Sequence, residues 1–337
     1  KNNDGKMGRE RARPKCSTLK SNTTAAAGPA PRTSWGVTVN CDRAIMPTGD
    51  ITNREADKLA TARDWLVEGA AFVCLQDLGQ AFSCNEPPAD VKAAFDPYQI
   101  ICAASETDNR GTVAVVVGEG WDVNKVMRDP SSTRCLGVEL VNDQATILVV
   151  TAYMRPGMDG SLNLNPRRGD SAATERRRKE RKEGYRIAQV VREWIRGYDA
   201  FFVCGDFNQE PPRAGRGKGK DPLGRHLLRP NSPALDVFAS LGITGPTRLR
   251  STRRIDYILV NRDQFNARWS GNLVHEMTSD HHALKVWFPL AQATRSRSHF
   301  NGGPDLSRAC DQAKAAFKRR CNAALERLLE ESGEPTS

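Results

Sequence analysis

The chain has no apolar run approaching the roughly 20 residues that a bilayer-spanning helix requires. That excludes a helical membrane anchor as an organising feature and gives no reason to expect a membrane partner. None of the nine cysteines, at 16, 41, 74, 84, 102, 135, 204, 310 and 321, forms a Cys-x-x-Cys pair, so a zinc ribbon is excluded. An odd number scattered through apolar runs such as Phe-Val-Cys-Leu predicts buried free thiols rather than a disulfide framework, and with them a reducing, intracellular compartment. Aromatics are sparse at 7%, and no repeat of solenoid period is visible.

What the chain has in excess is positive charge, held unevenly. The net charge is +10, yet residues 1–32 carry +6, residues 167–186 carry +5 and residues 211–230 carry +5, which leaves the remainder acidic. Basic segments around an acidic body suit a polyanion drawn towards carboxylates; solvated tails without a partner would read the same way. Residues 1–32 have too few large apolar groups to offset the entropy of ordering and are expected to form a disordered basic arm. Such an arm serves equally as a nuclear address or as an electrostatic tether.

Strands are predicted at Trp35–Asn40, Ala70–Leu75, Tyr98–Ala103, Thr112–Val117, Arg134–Leu140, Ala145–Tyr153, Ala200–Gly205, Arg254–Val260 and Ala283–Pro289, from short β-branched and apolar runs bounded by turn residues. Helical periodicity is read at Thr52–Val67, with Ala56, Leu59, Ala60, Leu66 and Val67 as its apolar stripe and Arg63 interrupting it, and again at Ala172–Ile195. Shorter helices are expected at Leu223–Leu228 and Ala234–Leu241. After a polar linker at 291–303, apolar residues three or four apart from Leu306 to Leu328 predict an amphipathic helix over 304–331. It would pack back on the preceding domain or lead into a further one, and the chain, which opens on Lys1, is expected to be part of a longer product.

Three strings carry the chemistry: Val-Cys-Gly-Asp-Phe-Asn at 203–208, Arg-Ile-Asp-Tyr-Ile-Leu at 254–259 and Thr-Ser-Asp-His-His at 278–282. Each sets carboxylate, amide or imidazole groups against an apolar run, which is how buried strands deliver side chains to a sheet edge. Asp256, an acid in an otherwise apolar strand, needs a partner, and His281 is the natural one: the acid would fix the ring's tautomer. Together with Thr-Val-Asn-Cys-Asp at 38–42, Cys-Leu-Gln-Asp at 74–77 and Thr-Ala-Tyr-Met-Arg-Pro at 151–156, the ordered set resembles the endonuclease/exonuclease/phosphatase superfamily over about Trp35 to Pro289. The string Pro-Thr-Arg-Leu-Arg-Ser-Thr-Arg-Arg-Ile-Asp-Tyr-Ile-Leu is similar to the LINE-type retrotransposon endonuclease members.

The resemblance implies a four-layer α/β sandwich, two packed mixed sheets flanked by helices, spanning residues 33–290. It implies catalytic roles for Asp206, Asn208, His281, Asp256 and Tyr153, and a magnesium site, with manganese as an alternative, formed by Asp77, Asn40, Asp42 and Asp280. The chain departs from the pattern at Asp77, where the family has Glu, one methylene longer. Arg155, Arg248, Arg250 and Arg254 are expected to contact substrate phosphates. The implied function is a metal-dependent DNA endonuclease of retroelement type, with a fused or docked polymerase domain as a further partner. Two other readings stay open: an apurinic-site, RNA or small-phosphoester hydrolase on the same scaffold, and a non-catalytic nucleic-acid-binding relative.

Overall fold

The structure, a computed structural model, describes residues 33–42, 53–79, 87–103, 112–156, 171–210, 222–229 and 231–290. The basic arm, the linker and the helix expected over 304–331 lie outside the described residues, as do parts of the two internal basic segments.

Among the described residues, twelve strands form two six-stranded sheets. The first contains β1 (Thr33–Asn40), β2 (Phe72–Gln76), β3 (Gln99–Cys102), β4 (Ala114–Val117), β11 (Ser270–Val274) and β12 (Ala283–Pro289), in the order β11-β12-β1-β2-β4-β3. The second contains β5 (Asp122–Arg128), β6 (Cys135–Val141), β7 (Thr146–Tyr153), β8 (Phe201–Asp206), β9 (Ala234–Asp236) and β10 (Asp256–Asn261), in the order β5-β6-β7-β8-β10-β9. Each sheet has one parallel pair, β1 with β2 and β7 with β8, and a helix joins each. These are α1 (Asn53–Val67) and α3 (Ser171–Ile195); α2 (Ala89–Phe95) packs beside α1.

Strand alternation sorts the apolar side chains into layers. Along β2, Phe72 and Cys74 face the other sheet while Val73 and Leu75 face α1 and α2; along β7, Ile147 and Val149 face inwards while Leu148, Val150 and Ala152 face α3. The inter-sheet core is tied by Phe72, Phe202, Phe288 and Trp269, with ring centroids 4.6–6.4 Å apart. The architecture is therefore the expected four-layer sandwich.

Several local expectations are corrected. Helix α1 buries Lys58, Leu59, Ala62, Trp65 and Leu66, whereas Ala56 and Ala60 are exposed and Val67 is 67% exposed, so Arg63 interrupts nothing. The helix expected at Ala234–Leu241 is β9 followed by one turn, α4 (Val237–Ser240), because the Asp236 carboxylate accepts from the Ala239 N–H and starts the helix there. Leu223–Leu227 is a π-helical turn. Strands β5 and β11 and helix α2 had no clear signal; β5 and β11 are edge strands with little buried apolar surface.

Candidate active site

Topology brings the polar ends together. The parallel strands β1, β2, β7 and β8 finish at one edge of the sandwich, and β10 and β12, antiparallel to their neighbours, begin there. Asp206 is therefore in register with Tyr153 on one side and Asp256 on the other. Two buried contacts lock the sheets to each other at this edge: the Asn40 amide donates to Asp206 Oδ2 at 2.8 Å, and Gln76 Nε2 donates to Thr38 and to Thr151 at 2.9 Å each.

The backbone here is unusual. Asp42, Asp77 and Asn208 each follow a strand end with positive φ, at 46°, 51° and 50°. Short polar side chains tolerate this left-handed region better than longer ones, so Asp at 77 suits a turn that would strain Glu.

Asp206 is 1% exposed and tightly bracketed. Its Oδ1 accepts from the Asn208 backbone N–H at 2.8 Å, and its Oδ2 accepts from the amides of Asn40 at 2.8 Å and Asn208 at 2.9 Å. Burial, and then the like charge of Asp256, push its acidity to a pKa of about 8 against the pull of His281 and these donors. His281, 4% exposed, turns Nδ1 onto both oxygens of Asp256, at 3.1 and 2.9 Å. Its Nε2 looks to Asp280 Oδ1 at 3.6 Å and Asp206 Oδ2 at 4.0 Å. Burial opposes the charged ring, but Asp256, Asp206 and Asp280 outweigh it and raise its pKa to about 9, which favours the charged ring.

Of the other expected residues, Asn40 acts as a brace: Nδ2 holds Asp206 and Oδ1 accepts from the Asp42 N–H at 2.8 Å. Asp77 is half-buried directly after β2, and burial, Asp77 and Asp206 together raise the Tyr153 hydroxyl well above its ordinary pKa. Tyr153 thus stands beside both carboxylates. Asp280 is paired by Arg248 through Nε at 2.8 Å and a terminal nitrogen at 2.7 Å, so that guanidinium is already engaged. Arg155 faces Glu180 at 3.9 Å, and Arg250 is exposed in a turn with φ 56°.

Arg254 corrects the expectation. It is 6% exposed, ion-paired to Asp236 and laid 4.9 Å from the Tyr257 ring centroid, so it supports the core instead of meeting phosphate.

Sequence reasoning missed three supporting residues. Ser279 Oγ donates to the Asn40 carbonyl at 2.6 Å and accepts from the His281 N–H at 3.1 Å; Thr247 Oγ1 accepts from the Ile255 and Asp256 N–H groups at 3.0 and 3.1 Å. Lys58, only 2% exposed on α1, donates Nζ to the carbonyls of Cys41 and Asp42 and so clamps the turn that presents Asn40 and Asp42. A lysine in an amphipathic stripe looks like a solvated face, so no sequence signal marked it. Lys58→Met keeps the length but leaves two buried acceptors unpaired. It is expected to cost about 1–3 kcal/mol of stability and to raise the magnesium concentration needed for half-maximal thermal stabilisation, measured by melting at graded magnesium.

The donor set fits a hard divalent cation. Asp206, Asp256 and His281 have ligand atoms within 4.8 Å of one another, but Asp256 and His281 are turned on each other. A further oxygen, Asp280 Oδ1, lies 3.6 Å from His281 Nε2, and the like charge of Asp256 that helps raise the pKa of Asp206 is negative charge that a cation would relieve.

The fold is that of the deoxyribonuclease-like α/β sandwiches. Comparison with known families agrees: the model described as "Endonuclease/Exonuclease/phosphatase family" matches residues 53–281, more than half of the chain, and the chain belongs to that family. A search of curated proteins finds no match. Among solved structures, Danio rerio TDP2 complexed with single strand DNA product is similar at TM-score 0.51 and 15% identity, over 76% of this chain and 98% of that one. An endonuclease/exonuclease/phosphatase protein from Beutenbergia cavernae DSM 12333 is similar at TM-score 0.51 and 15% identity, over 77% of this chain and 72% of that one. The endonuclease domain of TRAS1, a telomere-specific non-LTR retrotransposon, is matched at TM-score 0.47 and 14% identity over 77% of this chain and 100% of that one, too low to carry an argument. Nothing in the described residues or these comparisons supports a polymerase domain.

Proposed function

We propose that the protein is a divalent-metal-dependent phosphodiesterase that hydrolyses the DNA backbone, an endonuclease of retroelement type. The observation that carries the reading is the buried Asp206, braced by Asn40 and Asn208 and facing His281, which Asp256 holds in place. Asp206 in its ionised form, which the charge of a bound cation would favour, is positioned to accept the proton of a water attacking phosphorus as the bond to the leaving oxygen breaks. Protonated on both ring nitrogens, His281 donates Nδ1–H to Asp256 and presents Nε2–H to a phosphoryl oxygen, and Asp256 holds the charged ring in that orientation. Asn208 orients Asp206, and Tyr153 offers a hydroxyl held neutral by its surroundings.

Asp77, with Asp42 and Asp280, would hold the ion, magnesium or manganese. When bound, it draws charge from the phosphoryl oxygens and eases departure of the leaving alkoxide. The arginine-rich string before Asp256 and its likeness to LINE-type members support the retroelement assignment, and the TDP2 relative seen with a single strand DNA product fits a DNA substrate.

The test is nicking of supercoiled plasmid with magnesium, beside EDTA and His281→Ala. Nicking that EDTA stops and that falls by about 10²–10⁴-fold in the variant is expected; equal activity in folded His281→Ala sinks the site assignment. One observation favours a second reading, a non-catalytic nucleic-acid-binding relative: the shorter Asp77 at the family's Glu position. Magnesium that leaves the melting temperature unchanged, with DNA binding intact, selects that reading.

A further inference from the structure

Away from the strand edge, the flank of α3 beside the turn at 222–229 carries a basic ridge that the proposed chemistry does not use. Arg181, Tyr185 and Arg192 are spaced four and seven residues apart, which puts them on one face of the helix, and Arg196 follows directly after its last turn. The salt bridges that tie α3 to the body, Arg134 with Glu183 and Arg186 with Asp129, use other positions. The turn at 222–229 packs against the helix and adds to the ridge. The Arg181 and Arg225 guanidinium carbons lie 5.8 and 5.7 Å from the Tyr185 ring centroid, and His226 meets that ring edge-on at 5.8 Å.

The charges crowd one another. Burial, then Arg192, Arg225 and Arg229, lower the pKa of His226; burial, then Arg196 and Arg229, lower that of Arg192 itself. His226 Nδ1 is buried with no hydrogen-bond partner among the described residues. Guanidinium groups gathered over an aromatic ring at mutual electrostatic cost form a surface matched to a polyanion, with planar forks for phosphate oxygens and a ring face to hold them.

We propose that this ridge is a second, non-catalytic contact for the phosphate backbone of the nucleic acid, binding a stretch that extends beyond the segment being cut; it rests on the nuclease reading given above. Topology makes the two contacts separate. The site lies at the strand ends, whereas α3 covers the outer face of the second sheet and runs away from that edge, so Arg192 and Arg229 stand well down the side. A long duplex crossing the edge can bend or pass over this side, whereas a small phosphoester cannot reach both.

The experiment is the salt dependence of binding to a duplex of about 30 base pairs, followed by fluorescence anisotropy in EDTA so that no cleavage occurs. Wild type is compared with the triple variant Arg192→Gln/Arg225→Gln/Arg229→Gln. Losing three phosphate contacts is expected to flatten the slope of log K against log salt by about 2.7 and to weaken binding at least about 10-fold at low salt. If the triple variant does not fold, the exposed Arg225→Gln alone is expected to flatten the slope by about 0.9. Unchanged slopes overturn the proposal, including the case in which the ridge instead meets an acidic protein. Plasmid nicking, run in parallel, separates the two readings. A flattened slope without wild-type nicking keeps the ridge and removes the nuclease; nicking with an unchanged slope does the reverse.

Discussion

Asp206→Asn is expected to reduce magnesium-dependent nicking by about 10³–10⁴-fold and, in EDTA, to flatten the pH dependence of the melting temperature. The first effect follows from losing the only kind of group that can accept a proton there; an amide cannot. The second follows from linkage. Asp206 has a folded pKa near 8, above its unfolded value, so the unfolded chain releases this proton first and stability falls as pH rises from the ordinary carboxylate range, about 4, towards 8. His281 acts in the same direction: its folded pKa of about 9 gives stability that is complete below its unfolded value and lost as pH rises through 9. The variant removes the Asp206 contribution and weakens that of His281. Net stability is expected to fall by about 1–3 kcal/mol, because the new amide nitrogen must face a donor at either position, the Asn40 and Asn208 amides at Oδ2 or the Asn208 backbone N–H at Oδ1. Melting curves from pH 5 to about 9 with and without magnesium check this; a variant with the wild-type pH slope would place the coupled proton elsewhere.

Gly205→Ala is expected to be the most destabilising single substitution near the site. A Cβ at 205 would lie 1.9 Å from the carbonyl oxygen of Ala152, with φ already at 156°. The obstacle is the backbone of the adjacent parallel strand, in direct register, so neither partner can move without opening β7 from β8. A loss of at least about 3 kcal/mol is expected, which for a domain of this size lowers the melting temperature by roughly 6–12 °C. Gly69→Ala is the matched control: it also has positive φ, 95°, but nothing within 4 Å, so its cost is backbone strain alone, about 1 kcal/mol. Similar melting temperatures for the two variants would show that β7 and β8 tolerate separation.

The central strands could be read in the sequence because burial on both faces leaves near-continuous apolar runs, as in Thr146–Tyr153 and Phe201–Asp206. Edge strands escape that logic. Asp122–Arg128, with polar and half-buried positions throughout, pairs on one side only and resembles a loop. Among the arginines, sequence proximity to Asp256 could not separate Arg254, sunk against Tyr257 and Asp236, from Arg250, exposed in its turn four residues earlier. Composition also hid Lys58, because a lysine's ordinary place is in water and only the turn carbonyls explain its burial.

By itself, then, the sequence determined the strand runs, the polar residues that end them and their order along the chain, because alternation and turn chemistry are local. The tertiary structure alone decided that Asn40 would meet Asp206 across 166 residues of chain and that His281 would turn Nδ1 to Asp256 and Nε2 to the opening. It also decided which cations are spent inside the fold and which gather on α3. Those outcomes depend on sheet order and on which face each strand turns inward, and long-range packing sets both.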